Sequence, residues 1–323
     1  VITGGTGFIG RQLCRSLRQQ GHDVLKLGRP DLSGDAERLA DRISGADAVI
    51  NLAGAPINKR WTVAYKQEIV SSRVDTTRRL VQAIARAPAR PKVLISTSAI
   101  GAFDSRGRYS EADPPNATDF LGRLSMVWES AALEANALGV RTLIFRFGLV
   151  LGRDGGMMKQ LMPPFRLGLG GPVGDGSQHF SWIHIIDLIS AYRHALENPQ
   201  MSGVYHICAP KPVTNLVFTR ALGQALRRPT PFRVPQILLK LAYGQGAEVM
   251  TSGQQVISER LPESGFQFRY PELDSAIQEI VSPVSEKPAV SELPIPAQVP
   301  DSGRKGYAKS TDRRRKRRGP HPR

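Results

Sequence analysis

The chain contains little cysteine and no long apolar segment. Its two cysteines, Cys14 and Cys208, cannot form a disulfide framework in 323 residues, which favours a reducing compartment, and we expect a cytoplasmic protein. The strongest apolar stretch, TLIFRFGLVLG, has Arg146 in its middle and is shorter than a bilayer span. These absences exclude a disulfide-rich secreted domain, and we expect no membrane partner.

The sequence has no metal-binding pattern, and we expect no signal peptide. No cluster of Cys and His has the spacing of metal ligands, so we predict no metal. Val1 already belongs to a strand pattern, which leaves no room for a signal peptide. Because the first strand of such a pattern usually starts several apolar residues earlier, we expect that a few residues precede Val1 in the full protein.

Positive charge is concentrated toward the end of the chain. The formal net charge is +16, and residues 283–323 hold eleven Lys or Arg against four Asp or Glu. This segment is rich in Pro, has few large apolar residues and contains the basic block RRRKRR. Such a composition predicts disorder. The block could bind nucleic acid electrostatically without reading its sequence, or it could simply stay solvated.

Apolar strands alternate with helical patterns through the first half of the chain. The strand patterns are VIT, DVLKLGR, DAVINLAG, KVLISTSA and VRTLIFRFGLVLG. Helical patterns include IGRQLCRSLRQQGH, in which Ile9, Leu13 and Leu17 share one face, and the long KQEIVSSRVDTTRRLVQAIARA. This alternation predicts an α/β protein with a Rossmann-type, doubly wound parallel sheet that helices cover on both faces.

The second half of the chain has a different composition. The segment MPPFRLGLGGPVGDGSQHFSWIHIIDL is rich in Gly and Pro, and we expect it to be largely loop that builds a pocket. A helix is predicted at IIDLISAYRHALEN and a strand at GVYHICA. We therefore predict a dinucleotide-binding domain at 1–150, a smaller C-terminal substrate domain at 151–282 and a disordered basic tail at 283–323.

The opening VITGGTGFIG spaces three glycines between a strand and a helix. Gly4 permits a tight turn, Gly7 lets the main chain approach a diphosphate, and Gly10 lets the helix pack closely on the sheet. The N-terminus of that helix adds N–H groups and partial positive charge. The motif predicts a dinucleotide-binding loop; the alternative is a glycine-rich turn without a ligand.

The end of the second strand indicates which dinucleotide binds. NAD-preferring sites carry an acidic residue there, which binds the ribose hydroxyls. This chain has KLGRP instead, and Arg29 stands where it could bind a 2′-phosphate. Asp31 follows Pro30 and lies beyond the expected position. We therefore predict NADP as the cofactor.

Several motifs together resemble the extended short-chain dehydrogenase/reductases, the epimerase/dehydratase superfamily. They are TGGTGFIG, NLAG at 51–54, ISTSA, EADPP and FRFGLVLG. In addition, RLGLGGPVGDGSQHFSWIHIIDL, NLAGAPINKRWT and ESGFQFRYPELDSAI are similar to a subfamily called epimerase family proteins, which carry a short C-terminal domain of unknown function. The resemblance covers residues 1 to about 281 and implies a Rossmann domain with a smaller C-terminal substrate domain.

The resemblance also implies a set of cofactor-binding residues. The phosphate loop would hold the cofactor through Thr3, Gly4, Gly5, Thr6, Gly7, Phe8, Ile9 and Gly10. Arg29 follows the second strand, and Asn51, Leu52, Ala53 and Gly54 form a loop under the adenine and ribose, where small residues let a ligand approach. Outside the glycine loop, each could instead be an ordinary residue at a strand end.

The usual catalytic pair of this family is absent. In a typical member a Ser holds the substrate oxygen and a Tyr four residues before a Lys transfers the proton, because one helical turn brings the ammonium beside the phenol. None of the seven tyrosines has a Lys four residues later. The corresponding positions fall on Leu121 and Ser125, or on Phe120 and Leu124 after a shift of one residue. Ser98 remains as a candidate catalytic residue that positions a substrate.

Three further residues near the second-half loop are candidates. His184 is a second candidate catalytic residue, but a His at such a position often orients a loop, and Asp187 commonly caps the next helix. His179 and Trp182 could line a substrate pocket or simply pack.

Cationic residues elsewhere also have two interpretations. Lys59, Arg60 and Trp61 follow the cofactor loop and could bind an anionic substrate or form a solvated turn. Arg146 lies in a strand pattern, where an unpaired charge is costly to bury, so we expect it to have an acidic partner or a ligand.

With the resemblance, these features predict an NADP(H)-binding oxidoreductase or epimerase that acts on a small polar or nucleotide-sugar-like substrate. A hydride would move between the nicotinamide and a substrate carbon held near Ser98. Because the Tyr and the Lys are absent, the alternative is a cofactor-binding regulator or scaffold without turnover. The sequence predicts neither the proton donor nor the oligomeric state.

Overall fold

The computed structural model describes residues 1–153 and 155–282. Its strands are β1 (Ile2–Thr3), β2 (Lys26–Leu27), β3 (Ala48–Asn51), β4 (Val93–Ala99), β5 (Arg108–Tyr109), β6 (Arg141–Phe147), β7 (Leu149–Leu151), β8 (His179–Phe180), β9 (Trp182–His184), β10 (Gly203–Ile207), β11 (Val213–Thr214) and β12 (Gln255–Val256). Its α-helices are α1 (Phe8–Gln19), α2 (Arg29–Ser33), α3 (Ala36–Ile43), α4 (Val63–Val70), α5 (Thr76–Arg86), α6 (Phe120–Leu133), α7 (Gly156–Arg166), α8 (Ile185–Glu197), α9 (Asn215–Leu226), α10 (Gln236–Tyr243), α11 (Glu248–Thr251), α12 (Arg260–Glu263) and α13 (Leu273–Val281). A π-helical turn, Ser71–Asp75, joins α4 to α5, and 3-10 segments follow β4, α6 and α10.

Six strands form one parallel sheet in the order β10-β6-β4-β3-β1-β2. The predicted α/β class with a parallel sheet is confirmed. The strand order reverses at β1, which pairs with β2 on one side and with β3 on the other. Ligands of such sheets bind outside the carboxyl ends of the strands at this reversal. The ends of β1 at Thr3 and of β3 at Asn51 therefore mark the expected site.

Helices cover both faces of this sheet. On one face, a core that includes Leu13 of α1 and Leu188 of α8 packs against the strands. On the other face, Ile43 of α3 and Leu80 of α5 belong to a second core. All four side chains are fully buried, and each burial contributes roughly 1.5–3 kcal/mol. The apolar stripes of the helices thus hold the doubly wound layers together.

Three strand and helix patterns differ in detail from the predictions. β2 is shorter than the DVLKLGR pattern, and Arg29 begins α2 instead of ending the strand. The long helix pattern is present as α4, the π-helical turn and α5 in succession. The predicted strand VRTLIFRFGLVLG is broken at Gly148, where a Cβ would lie 2.7 Å from the Ser181 carbonyl oxygen. This close approach turns the chain, and β7 leaves the main sheet to pair with β9.

The second half is more regular than its Gly and Pro content predicted. Residues 162–166 of the predicted loop are the end of α7, although Pro163 and Pro164 lie inside that helix. Each proline removes one N–H donor from this last part of the helix, but Phe165 anchors the turn in a core. Residues 167–178 are irregular, as predicted, and the predicted helix and strand are α8 and β10.

Residues Val1–Ser282 form one compact unit. The predicted tail at 283–323, with its basic block, lies outside the described residues. The predicted division at residue 150 stays a prediction; β10, which follows it, forms the edge of the main sheet. Within the described part of the chain, no helix is both long enough and apolar enough to cross a membrane.

Candidate cofactor site

The glycine loop joins β1 to α1 at the strand-order reversal. Gly4 has a φ of +63°, and a Cβ there would lie 2.5 Å from the Leu52 carbonyl oxygen, so only glycine fits. A Cβ at Gly10 would lie 2.3 Å from the Gly4 carbonyl oxygen, because α1 packs directly on the loop. At Gly7 the nearest atom would be 3.3 Å away. A Cβ at Gly7 would make one tight contact, with the Gly4 carbonyl oxygen, whereas a Cβ at Gly4 or Gly10 would clash.

The N-terminus of α1 carries unsatisfied donors. No side chain caps the helix at Gly7, and its first turn contains no acidic residue. Arg11 N–H donates to the Gly7 carbonyl oxygen, so the amides of Phe8, Ile9 and Gly10 precede the helical bonds. These amides and the helix dipole form a cradle that fits a diphosphate.

Gly5 and Thr6 complete the loop. Gly5 is buried, and a Cβ there would lie 3.1 Å from Cγ of Lys26 on β2. Thr6 is exposed, and its carbonyl oxygen accepts a hydrogen bond of 2.7 Å from Arg11 Nη1. The loop is thus held from both sides while its outer edge faces solvent.

Thr3 and Asn51 connect the ends of β1 and β3. Thr3 Oγ1 donates to Asn51 Oδ1 at 2.7 Å, and Asn51 Nδ2 donates to Thr77 Oγ1 at 2.8 Å. The Thr3 hydroxyl also accepts from the amides of Leu52 and Ala53 at 3.1 and 3.2 Å. Both side chains are fully buried, so they position the two loops of the site.

Arg29 and Asp31 differ in their surroundings. Arg29 is exposed at the first residue of α2, and among the residues described only its backbone carbonyl takes part in a hydrogen bond, which it accepts from Ser33. The Asp31 carboxylate accepts from the Gly28 amide at 2.8 Å and forms an ion pair with Arg42 of α3. The charge of Asp31 is therefore balanced within the protein, while the Arg29 guanidinium faces solvent.

Arg73 is a charged residue of this site that the sequence did not identify. It lies in the π-helical turn, and its guanidinium donates to the carbonyl oxygens of Ala55 at 3.0 Å and Ile69 at 3.3 Å. A Cβ at Gly54 would lie 3.0 Å from its Cζ, so the glycine lets the guanidinium reach the loop. The only available signal was its spacing, four residues after the apolar Ile69 on the inward face of the helix.

The charge of Arg73 has no acidic partner among the described residues. Its guanidinium lies 5.3 Å from the centre of the Trp128 ring, at a distance typical of a cation–π contact. Burial lowers the pKa of Arg73 to about 10, and no carboxylate offsets that effect. An anionic ligand at the 53–55 loop would supply the missing negative charge.

Ser98 belongs to a buried polar cluster behind the site. Its Oγ donates to Glu129 Oε1 of α6 at 2.5 Å, and the Glu129 carboxylate also accepts from Arg146 Nε at 2.8 Å and Nη2 at 2.7 Å. The predicted acidic partner of Arg146 is thus confirmed. Ser98 is only 2% exposed. The cluster joins β4, β6 and α6 through charge-assisted hydrogen bonds.

The family positions for Tyr and Lys lie on α6. Leu121 and Ser125 occupy them, and Phe120 and Leu124 occupy the shifted alternative. Ser125 is buried, and Leu121 is partly exposed. Neither pair supplies a phenol beside an ammonium, so the usual proton-transfer group is absent from this helix.

The second candidate catalytic residue, His184, is fully buried at the N-terminus of α8. Its Nδ1 accepts from the Ile186 amide at 3.3 Å, and its Nε2 lies 3.1 Å from Glu279 Oε2 of α13. Asp187, expected as the helix cap, instead accepts from the amides of Arg269 and Tyr270 at 2.8 and 2.9 Å. These contacts are structural, and a catalytic role for His184 stays a prediction that the proposed function does not use.

The remaining candidates lie around the edges of the site. Trp61 is buried, and its Nε1 donates to Ile57 O, whereas Lys59 and Arg60 are exposed. Arg60 Nη1 donates to the Leu241 carbonyl oxygen of α10 at 2.9 Å. Trp182 is packed in the core of the second half, and His179 is half-buried on β8. Between 1 and 282, the described residues contain no group of three or more Cys, His, Asp or Glu side chains placed to hold a metal ion.

Comparisons with known proteins agree with this geometry. The model of the NAD dependent epimerase/dehydratase family matches residues 1–208, and a domain of unknown function, DUF1731, matches 234–280. The human epimerase family protein SDR39U1 is 38% identical over 291 residues, which cover 87% of this chain and 99% of that protein. A chloroplastic SDR39U1 homologue from Arabidopsis thaliana is 38% identical over 299 residues, which cover 87% of this chain and 86% of that protein.

Solved structures are similar over most of the chain. A crystal structure of human SDR39U1, isoform 2, with NADPH has a TM-score of 0.79 and 35% identity and covers 86% of this chain and 97% of that one. MoeE5 in complex with UDP-glucose and NAD has a TM-score of 0.69 over 86% of this chain and 96% of that one, but at 21% identity it shows the fold alone. Together with the glycine loop and the parallel sheet, these matches show that the chain belongs to the NAD dependent epimerase/dehydratase family.

Proposed function

We propose that this chain binds NADP(H) between the glycine loop and the 51–54 loop and acts as an oxidoreductase or epimerase on a small polar or nucleotide-sugar-like substrate. The observation that carries the proposal is the amide cradle at the start of α1, with no acidic residue in its first turn. The NADPH in the crystal structure of human SDR39U1 supports the same cofactor here.

The surroundings of Arg29 and Asp31 favour NADP over NAD. Asp31 is already bound by Arg42 and by the Gly28 amide, so it has little capacity left for the ribose hydroxyls of NAD. Arg29 makes no side-chain bond within the described residues and can form charge-assisted hydrogen bonds to a 2′-phosphate.

We include Arg73 among the cofactor-binding residues. Its guanidinium lies against Gly54, in the loop that the family places under the cofactor, and its charge is not balanced by a carboxylate of the described chain. A phosphate group near this loop would offset the cost of burying that charge.

When bound, NADP(H) supplies or accepts the hydride of the reaction. Ser98 stands at the family position that holds the substrate oxygen, and its hydroxyl donates to Glu129. A hydroxyl that donates to a carboxylate can still accept a hydrogen bond, which is what holding a substrate hydroxyl requires. Arg146 donates to both carboxylate oxygens of Glu129 and holds that side chain in place, so Ser98 would have one orientation toward a substrate.

A second candidate function is that of a cofactor-binding regulator or scaffold without turnover. Two observations favour it: the near-complete burial of Ser98 and the absence of a Tyr and Lys from α6. Cofactor binding is common to both candidates, so turnover alone separates them.

Titration calorimetry with NADPH and NADH tests the cofactor assignment. We expect NADPH to bind more tightly and Arg29→Ala to remove most of the difference. Arg38→Ala, which removes an exposed cation from the neighbouring α3, is the matched control and should leave both affinities unchanged. Equal affinities of the wild-type protein for the two cofactors would contradict the assignment.

A panel of carbonyl compounds and nucleotide sugars, with NADPH oxidation as the readout, tests turnover. Activity that falls in Ser98→Ala while NADPH affinity is kept would support the oxidoreductase or epimerase. No NADPH oxidation with any compound of a broad panel, with NADPH binding intact, would favour the regulator.

Compartment and further partners also belong to this proposal. Two buried free cysteines support a reducing compartment such as the cytoplasm. Nucleic-acid binding by the basic tail stays a prediction. Deleting 283–323 should abolish any salt-sensitive RNA or DNA binding and leave cofactor affinity unchanged.

A further inference from the structure

Six large apolar side chains are exposed together on the second half of the chain. They belong to the segment after α7, to the segment before α10 and to α10 itself: Leu167, Leu169, Phe232, Ile237, Leu238 and Leu241, which we call the apolar face. Each is between 56% and 74% exposed. No residue of α10 is buried. Contiguous apolar surface of this kind marks a binding surface rather than a packing position.

Backbone contacts bring the two parts of the apolar face together. Val173 pairs with Val234, and the Gly174 and Val234 amides donate to the carbonyl oxygens of Val234 and Pro172 at 2.9 and 2.8 Å. Arg228 Nε donates to the Arg166 carbonyl oxygen at 2.9 Å. The segment that carries Leu167 and Leu169 therefore lies beside the one that carries Phe232 and leads into α10.

The charge around the apolar face is mainly positive, and the exposed Asp175 lies close enough to Arg233 for the two charges to interact. From residue 198 to 247 the sequence has no Asp or Glu and six Lys or Arg, and from 155 to 174 it has two more basic residues and no acidic one. Arg233 and Lys240 are exposed within this region, next to Phe232 and Leu241 in the chain. Apolar side chains flanked by exposed cations fit a surface that is itself apolar and negatively charged.

This distribution disfavours a second copy of the chain as the occupant. In a two-fold contact the same basic residues would face each other, and like charges across an interface oppose association. Outside 155–174 and 198–247, residues 1–282 hold 25 Lys or Arg against 24 Asp or Glu, so the rest of this part of the sequence has no net negative charge to complement these basic residues. The occupant must supply both negative charge and apolar contact.

We propose that the apolar face docks on the surface of a bilayer that contains anionic lipid, with Leu and Ile side chains inserted and the Lys and Arg residues at the headgroups. This departs from the sequence-based expectation of no membrane partner, which rested on the lack of a spanning segment. Docking at the surface requires no such segment, because exposed apolar side chains and basic residues act together. Arg60, which binds the Leu241 carbonyl oxygen, connects this face to the loop that follows the cofactor site.

A fluorescent label on the full chain tests the proposal. The two native cysteines are buried, so an environment-sensitive dye attached to Leu238→Cys reports on the apolar face alone. Val127→Cys, an exposed position on α6, is the matched control. With vesicles of phosphatidylcholine and about 30% phosphatidylglycerol, we expect a blue shift and increased emission at 238, none at 127, and neither with phosphatidylcholine alone.

A second variant separates this face from the basic tail. Ile237→Asn with Leu241→Asn should reduce vesicle co-sedimentation at least tenfold and leave the unfolding temperature unchanged, because both side chains are exposed. Co-sedimentation that is the same in the double variant, with no shift at 238, would assign binding to the tail and overturn the proposal. A dye response to an acidic amphipathic peptide but to neither kind of vesicle would overturn it in favour of a protein partner.

Discussion

Arg42 of α3 forms an ion pair with Asp31 of α2, shortly after the end of β2. The pair balances the carboxylate that lies nearest to Arg29 in the chain. Without this ion pair, the Asp31 carboxylate and the Arg29 guanidinium would both be available to a ligand. With it, only the Arg29 guanidinium has a charge left unbalanced by the described residues. In the function proposed above, the preference for NADP(H) depends on this contact as well as on Arg29.

Replacement of Arg42 by Met should weaken the preference for NADPH. The freed Asp31 carboxylate would oppose a 2′-phosphate and become available to ribose hydroxyls. We expect NADPH affinity to fall by about threefold to tenfold, which is the size of effect that a partly exposed ion pair typically has. NADH affinity should stay the same or rise. Calorimetry measures both affinities, and Arg38→Met is the control. An unchanged ratio of the two affinities would contradict this role.

Gly7→Ala separates ligand binding from folding. The new methyl group meets only the Gly4 carbonyl oxygen, in a tight contact of 3.3 Å, so a small shift of the exposed loop should let the fold tolerate it. The methyl occupies the open edge of the loop, and we expect NADPH affinity to fall at least tenfold. Gly101→Ala, whose methyl would lie 3.7 Å from Leu121, is the control. Thermal unfolding and calorimetry give the two readouts, and intact binding in Gly7→Ala would argue against the site.

Arg73→Met should reduce NADPH affinity with little loss of stability. The guanidinium is half-buried without a carboxylate, so its removal abolishes an unfavourable burial while it breaks two bonds to carbonyl oxygens. We expect affinity to fall about tenfold and Arg73→Lys to recover part of it. Arg78→Met, on the exposed side of α5, serves as the control. A large drop in unfolding temperature with unchanged affinity would make Arg73 a structural residue.

Glu129→Gln should strongly destabilise the fold. It leaves Arg146 buried without its ionic partner, and breaking a buried pair typically costs about 3–5 kcal/mol. The double variant Glu129→Leu with Arg146→Met should recover most of this loss, since no buried charge then remains. Urea unfolding measures the free energies. Lys211→Ala, which breaks an exposed pair with Glu272, should cost less than about 1 kcal/mol.

Glu279 should contribute stability that disappears in acid. Its pKa is lowered, chiefly because of its hydrogen bond with His184. A carboxyl group whose pKa is lower in the folded protein stabilises above its unfolded value, here 4.5, and this stability is lost as the pH falls through the folded value. Glu279→Gln should therefore be less stable than wild type near neutral pH, and the gap should close below about pH 4.5. Urea unfolding across this range measures it, with the exposed Glu272→Gln as control; a gap that persists in acid would contradict the assignment.

The elements that could be predicted are those that depend on residues close together in the chain. The glycine loop follows from the conformations that only Gly4 and Gly10 can adopt without clashes, and the parallel sheet follows from alternating patterns a few residues long. The end of α7 was not predicted, because prolines normally stop a helix and only its packing around Phe165 keeps this turn helical.

The contacts that could not be predicted join residues far apart in the chain. His184 meets Glu279 of α13, which gives it a structural partner, and Ser98 meets Glu129, which ties it to a buried ion pair. The two residues of each pair are too far apart in the chain for their contact to produce a recognisable sequence pattern. Arg73 was missed for the same reason, since its charge matters only where the π-helical turn presses it against Gly54.

The sequence by itself determined the fold class, the dinucleotide loop and the lack of a Tyr and Lys pair, because each depends on residue types at short, fixed spacings. Only the tertiary structure decided which charges are balanced and which are not: Asp31 by Arg42, Glu129 by Arg146, and Arg73 by no carboxylate of the described residues. A charge becomes available to a ligand only when folding fails to bring it an opposite charge, and folding alone fixes those distances.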